Sequence, residues 1–77
     1  MKKIFEGSDG SVRPVEALRM LDEVFAYFRG LAGAEMRCFS MLLEYDDHAA
    51  VTFRLAGSGA WCKLYPEHHP DAPRVQG

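Results

Sequence analysis

No stretch of this chain approaches the roughly 20 consecutive apolar residues that a membrane-spanning helix needs, so a helical span is excluded. No secretory leader is expected. Lys2 and Lys3 resemble a positive leader start, but Ile4-Phe5 runs straight into Glu6, Gly7, Ser8 and Asp9. A surplus of one charge is also missing. Nine Lys and Arg oppose eleven Asp and Glu, for a net charge of −2. That field is too small to gather a phosphate backbone or to imitate one. Cysteine is scarce: Cys38 and Cys62 stand alone, with no Cys-x-x-Cys spacing. If each lies in a strand flanking a common third strand, they sit about 10 Å apart. A disulfide needs Cα atoms within roughly 4.4–6.8 Å. Both thiols are therefore expected to be reduced, in a soluble cytoplasmic protein.

What is present is the composition of one small folded domain: 77 residues, 48% hydrophobic and 26% charged. The strongest pattern lies between Phe39 and Leu55. Phe39, Met41, Leu43 and Tyr45 alternate with Cys38, Ser40, Leu42 and Glu44, and the alternation resumes as Ala49, Val51, Phe53 and Leu55 after Asp46-Asp47-His48. Pairing Tyr45 with Ala49 sets 43 against 51, 41 against 53 and 39 against 55. All eight apolar residues then share a face, and a one-residue slip would split them. The three-residue loop places its last member, His48, in the left-handed region. A third strand at about Ala60–Tyr65 ends at Pro66. A two- or four-residue turn before it sends Cys62 and Leu64 to the apolar face and Trp61, Lys63 and Tyr65 outward. The alternative, a three-residue turn, buries an unpaired Lys63, which is costly.

The cover for the apolar face is a helix. Pro14 suits a first helical position, and Val15, Leu18, Leu21, Val24, Phe25, Phe28 and Leu31 recur at helical spacing. Glu16, Arg19, Asp22, Glu23 and Arg29 gather opposite, with Met20 and Tyr27 at the border. Gly30 is the expected stop, with Gly33 as the fallback. Lys3–Glu6 reads as a short additional strand with Ile4 and Phe5 on opposite faces, and Gly7-Ser8-Asp9-Gly10-Ser11 as a turn. The fold class is thus α+β, in the order (β)αβββ: one helix packed on a three- or four-stranded antiparallel sheet as a two-layer sandwich. The domain spans 1–66. Residues 67–77, rich in proline, form a tail.

Candidate chemistry is thin. Cys38, Cys62, His48, His68, His69 and Asp71 are metal-ligand types, but none has ligand spacing, and the adjacent histidines read as solvated tail residues. No metal or other cofactor is expected. Asp46-Asp47 has the make-up of a carboxylate pair and also of a turn, and the turn is favoured. Gly7-x-x-Gly10 and Gly57-x-Gly59 are too short for a phosphate loop and lack a following Lys-Ser/Thr. No catalytic residue emerges, and no enzymatic activity is expected.

The face away from the helix is different. It carries Leu42, Thr52, Arg54, Trp61, Lys63 and Tyr65, with Glu44 beside them. An apolar centre with exposed aromatics and a charged rim is the make-up of a protein interface. The expectation is a small non-enzymatic interaction module. It would bind another protein, a protein complex or a second copy of itself through this sheet face and an edge strand. Inhibitor, adaptor and assembly subunit are the roles such a chain fills, including an anti-CRISPR-like antagonist of a host defence complex carried by a phage or mobile element. The alternative is nucleic-acid binding, with Trp61 and Tyr65 stacking on bases and Arg54 and Lys63 on phosphates.

Overall fold

The computed structural model describes residues 2–32 and 40–75, the Ala32 side chain excepted. The chain forms β1 (Lys2–Gly7), β2 (Val12–Glu16), a 3-10 turn (Ala17–Arg19), α1 (Met20–Ala32), β3 (Met41–Tyr45), β4 (Val51–Leu55) and β5 (Trp61–Pro66). The strands make one antiparallel sheet of five, in the order β2-β1-β5-β4-β3. No described helix is long and apolar enough to cross a membrane.

The α+β class holds, but the sheet has five strands rather than three or four. Lys3–Glu6 is the middle of β1, which sits inside the sheet, bonded to β5 on one side and β2 on the other. Ile4 and Phe5 do face opposite ways: Phe5 is fully buried under the helix, and Ile4 pairs with Tyr65 on the reverse. The residues read as the start of the helix form β2 instead. Gly10, at φ 92°, closes the β1–β2 hairpin, and the Gly7 amide donates to the Ser11 carbonyl at 2.8 Å. That bond fixes the phase: Phe5 and Arg13 bond each other's backbones, while Ile4 and Pro14 do not. Pro14 therefore turns its hydrogen-less nitrogen to the outer edge of the sheet, the position in which a strand tolerates proline.

The helix consequently begins at Met20, not at Pro14, and it runs through Gly30 rather than stopping there. Gly33 lies outside the described residues. Val24, Tyr27 and Phe28 are buried, with Met20 partly so, while Leu21 and Leu31 are exposed. Leu18, in the 3-10 turn, is 98% exposed. The buried stripe is rotated towards Tyr27 because that hydroxyl has work at the sheet. It accepts the Asp9 amide at 3.0 Å and bonds Ser8 Oγ at 3.0 Å, tying the helix to the first hairpin. Arg13 supplies a second tie, bonding Glu23 of α1 at 2.6 Å with its guanidinium over the Phe5 ring.

The hairpin is shifted by two residues. Tyr45 pairs with Val51, Leu43 with Phe53 and Met41 with Leu55. Phe39 and Cys38 fall outside the described residues. Because the shift is even, the shared face survives. The left-handed residue of the loop is Ala49, at φ 68°, not His48, since the loop closes between Asp46 and Ala50. Between β4 and β5 the turn has four residues, closed by the Leu55 amide on the Ala60 carbonyl at 3.0 Å. Cys62 and Leu64 therefore join the core, and Trp61, Lys63 and Tyr65 face away from it. The core is Phe5, Val15, Val24, Tyr27, Phe28, Phe53, Leu55, Cys62 and Leu64. It lies over β2, β1, β5 and β4, and of β3 only Met41 packs against it.

Candidate functional site at the free sheet edge

β3 is an edge strand, and among the described residues only its Met41 packs against the core. Met41, on the helix side, is partly buried there, but Leu43 is 48% exposed and Tyr45 72%, so the apolar face expected to be buried is open over the second half of this strand. Leu42, on the reverse side, is 60% exposed. Apolar side chains thus flank this edge on both faces.

Two backbone bonds set the phase of the edge. Ala56 N–H donates to the Ser40 carbonyl at 2.9 Å, and Asp46 N–H to the Ala50 carbonyl at 3.0 Å. In an antiparallel ladder such pairs recur at every second residue. Leu42 and Glu44 therefore bond inward to β4. Met41, Leu43 and Tyr45 present their N–H and C=O groups outward, and among the described residues no strand pairs with them. The opposite edge, β2, has Pro14 at its central outward position. Proline and charge are the usual protections of a sheet edge. β3 has no proline, and its one charge, Glu44, is bonded by Arg54 at 3.2 Å.

On the helix side an open, largely apolar groove of about 420 Å³ separates β3 and β4 from the start of α1. Met20 and Leu21 form one wall; Leu43, Tyr45, Val51 and Phe53 form the other. On the reverse side the register places Leu42, Thr52, Arg54, Trp61, Lys63 and Tyr65 on one surface, as the alternation implied. They do not stay equally available. Trp61 is half-buried and Arg54 exposed, but Tyr65 is buried.

The cover over Tyr65 is the chain's own C-terminal segment, which corrects the reading of its histidines as solvated. After Pro66 the chain turns back, and His69 is only 7% exposed, edge-on to the Tyr65 ring at 5.0 Å. His68 remains exposed. Nδ1 of His69 accepts the Asp71 amide at 3.0 Å, so Nε2 carries the hydrogen and donates to Asp46 Oδ2 at 2.7 Å. Asp46 is thus more than a turn former. Its Oδ1 accepts the amides of His48 and Ala50, both at 2.9 Å, and Lys63 Nζ lies 3.7 Å from Oδ2. Burial works to raise the Asp46 pKa. The bonds from His69, Ala50 and His48 overcome it and hold the carboxyl at about 2. Tyr65 is pushed the other way, above its ordinary range, by burial and by donating to Glu6 Oε1 at 2.7 Å. Asp46 was legible as a turn residue, but nothing in the spacing of Asp46 and His69 signals their bond across 23 positions.

Nucleophilic and metal chemistry find little to work with among the described residues. Cys62 is a free, fully buried thiol, and burial pushes it up to about 12 against the pull of the Arg13 charge, the reverse of an activated cysteine. Both ring nitrogens of His69 are spent inside the protein. No group of three or more Cys, His, Asp or Glu side chains among the described residues is placed to hold an ion. Cys38 lies outside the described residues. No family model matches this chain, and neither a curated protein nor a solved structure matches it.

Proposed function

We propose that this protein is an interaction module that docks onto another polypeptide by strand addition at β3. The apolar flanks of that strand, the Leu43–Tyr45 side of the groove and the Leu42–Trp61 side of the reverse face, would supply the contact area. One observation carries the reading. The molecule closes one sheet edge with Pro14 and leaves the other, with its outward-pointing Met41, Leu43 and Tyr45, without proline or an unpaired charge. Backbone bonds along such an edge provide affinity, and alternate side chains provide selectivity. Inhibitors, adaptors and assembly subunits all work through surfaces of this kind.

Nucleic-acid binding draws less support. The Tyr65 ring, one half of the expected stacking pair, lies under His69, and Arg54 is engaged by Glu44.

The test is capture from the source cell with wild-type protein and with Leu43→Lys as bait, each first shown to be folded by circular dichroism. Leu43 is half-exposed, so the substitution spares the core. The proposal expects a captured protein that Leu43→Lys loses. Capture that is unchanged by Leu43→Lys contradicts it. So does salt-sensitive oligonucleotide binding that only Arg54→Glu or Lys63→Glu removes.

A further inference from the structure

Resting on that reading, we infer that the strand docking on β3 is β3 of a second copy, paired antiparallel about a two-fold axis through Leu43. Within the described strand Met41–Tyr45, this is the one symmetric register that pairs all five residues. Setting Leu43 opposite the partner's Leu43 places Met41 opposite the partner's Tyr45 and Leu42 opposite the partner's Glu44. The outward-pointing residues of one copy, Met41, Leu43 and Tyr45, then meet the outward-pointing residues of the other. Every free N–H and C=O of the strand finds a partner.

Neighbouring registers are worse for physical reasons. A one-residue slip sets outward groups against inward ones. Moving the axis to Leu42 leaves Tyr45 opposite no residue of the described strand. Moving it to Glu44 does the same to Met41 and sets two carboxylates face to face, which destabilises a pair. At the Leu43 register Glu44 instead faces an apolar neighbour, and Arg54 of its own chain already holds its charge at 3.2 Å. The axis stands perpendicular to the sheet, so both helices remain on one side. There Leu43 meets Leu43, and Met41 meets Tyr45 in a sulfur–aromatic contact. This apolar strip joins the two grooves into one trough between the helices. The β2 edge has no equivalent arrangement, because Pro14 at its centre offers no donor.

Five residues per edge make an interface at the small end of specific complexes. The dimer is therefore expected to be reversible, with dissociation at roughly micromolar concentration or weaker. Light scattering of the full chain should show its mass rise from one chain to two between ~1 µM and ~1 mM. Leu43→Lys should hold it at one chain with an unchanged circular dichroism spectrum. Register is read by disulfide trapping in a Cys38→Ser background. Leu43→Cys should cross-link to its own copy across the axis, where Cα atoms about 5.5 Å apart permit a bond. Leu42→Cys, displaced from its own copy by two residues, should not. A one-chain mass at every concentration overturns the inference, as does a dimer that survives Leu43→Lys without a Leu43→Cys cross-link. A one-chain mass together with capture lost in Leu43→Lys refutes the second copy and retains docking at β3. Capture unchanged by Leu43→Lys refutes the docking reading itself.

Discussion

Gly7 and Asp46 show how much single positions carry in a sheet this small. Gly7 faces the helix, and a Cβ there would lie 2.8 Å from the Tyr27 ring and 2.8 Å from Asp9 Oδ1. Its lack of a side chain lets Tyr27 cross the sheet and reach Ser8 and Asp9. Gly7→Ala should cost about 1–3 kcal/mol, as overpacking does, measured by urea unfolding; an unchanged midpoint would show that the ring moves aside freely. Asp46 acts at the other end, where it bonds the hairpin loop and His69 together. Asp46→Ala should release residues 67–75, seen as faster proteolysis of that segment while the sheet stays folded. The acid dependence follows from its pKa. The carboxyl titrates near 2 in the folded protein and near 3.9 in the unfolded chain. Between those values the unfolded state binds more protons, so stability rises with pH across the window. The advantage of wild type over Asp46→Ala should be full above about pH 4 and fade towards pH 2; a difference that is flat across this range would exclude the mechanism.

At the scale of elements, sequence periodicity found the strands of the second half and the one helix, but set the helix start six residues too early, at Pro14 rather than Met20. β4 was legible from its alternation; turn length left the facing of β5 open, and the cost of burying Lys63 decided it in the direction that the four-residue turn takes. The registry error in the β3–β4 hairpin was even, so it did not disturb which residues share a face. The helix start was missed for a different reason. Pro14 and Val15 satisfy the rules for a helix start and equally those for an edge strand, and a local window cannot weigh a pairing with residues ten positions earlier. Leu18 and Leu21 fit the apolar stripe by spacing, yet neither is covered. The consequences are measurable. Phe28→Ala and Phe53→Ala should each cost about 3–5 kcal/mol, because both rings are buried. Phe25→Ala should cost clearly less, since Phe25 is only half-buried. Leu18→Glu should leave the thermal midpoint nearly unmoved. An equal loss at Phe25 and Phe28 would restore the simple helical stripe.

For the whole molecule, the six residues assigned to the reverse face do lie together, because parity alone puts them there. Which of them stays open was not legible. That depends on the fold-back through His69 and Asp46, a long-range contact without any local signature. The position of β3 at the sheet edge was equally hidden, since the sequence does not say which strands end the sheet. The order β2-β1-β5-β4-β3 supplies the contrast on which the proposed docking rests: an edge with proline at its centre and an apolar edge with no strand beside it among the described residues. Amide hydrogen exchange along β3, followed by NMR at low and high protein concentration, tests it most directly. Dilute protein should protect the amides of Leu42 and Glu44 and leave those of Met41, Leu43 and Tyr45 exchanging fast; concentrated protein should protect all five. Exchange at Met41, Leu43 and Tyr45 that stays fast at every concentration would contradict pairing of this edge with a second copy.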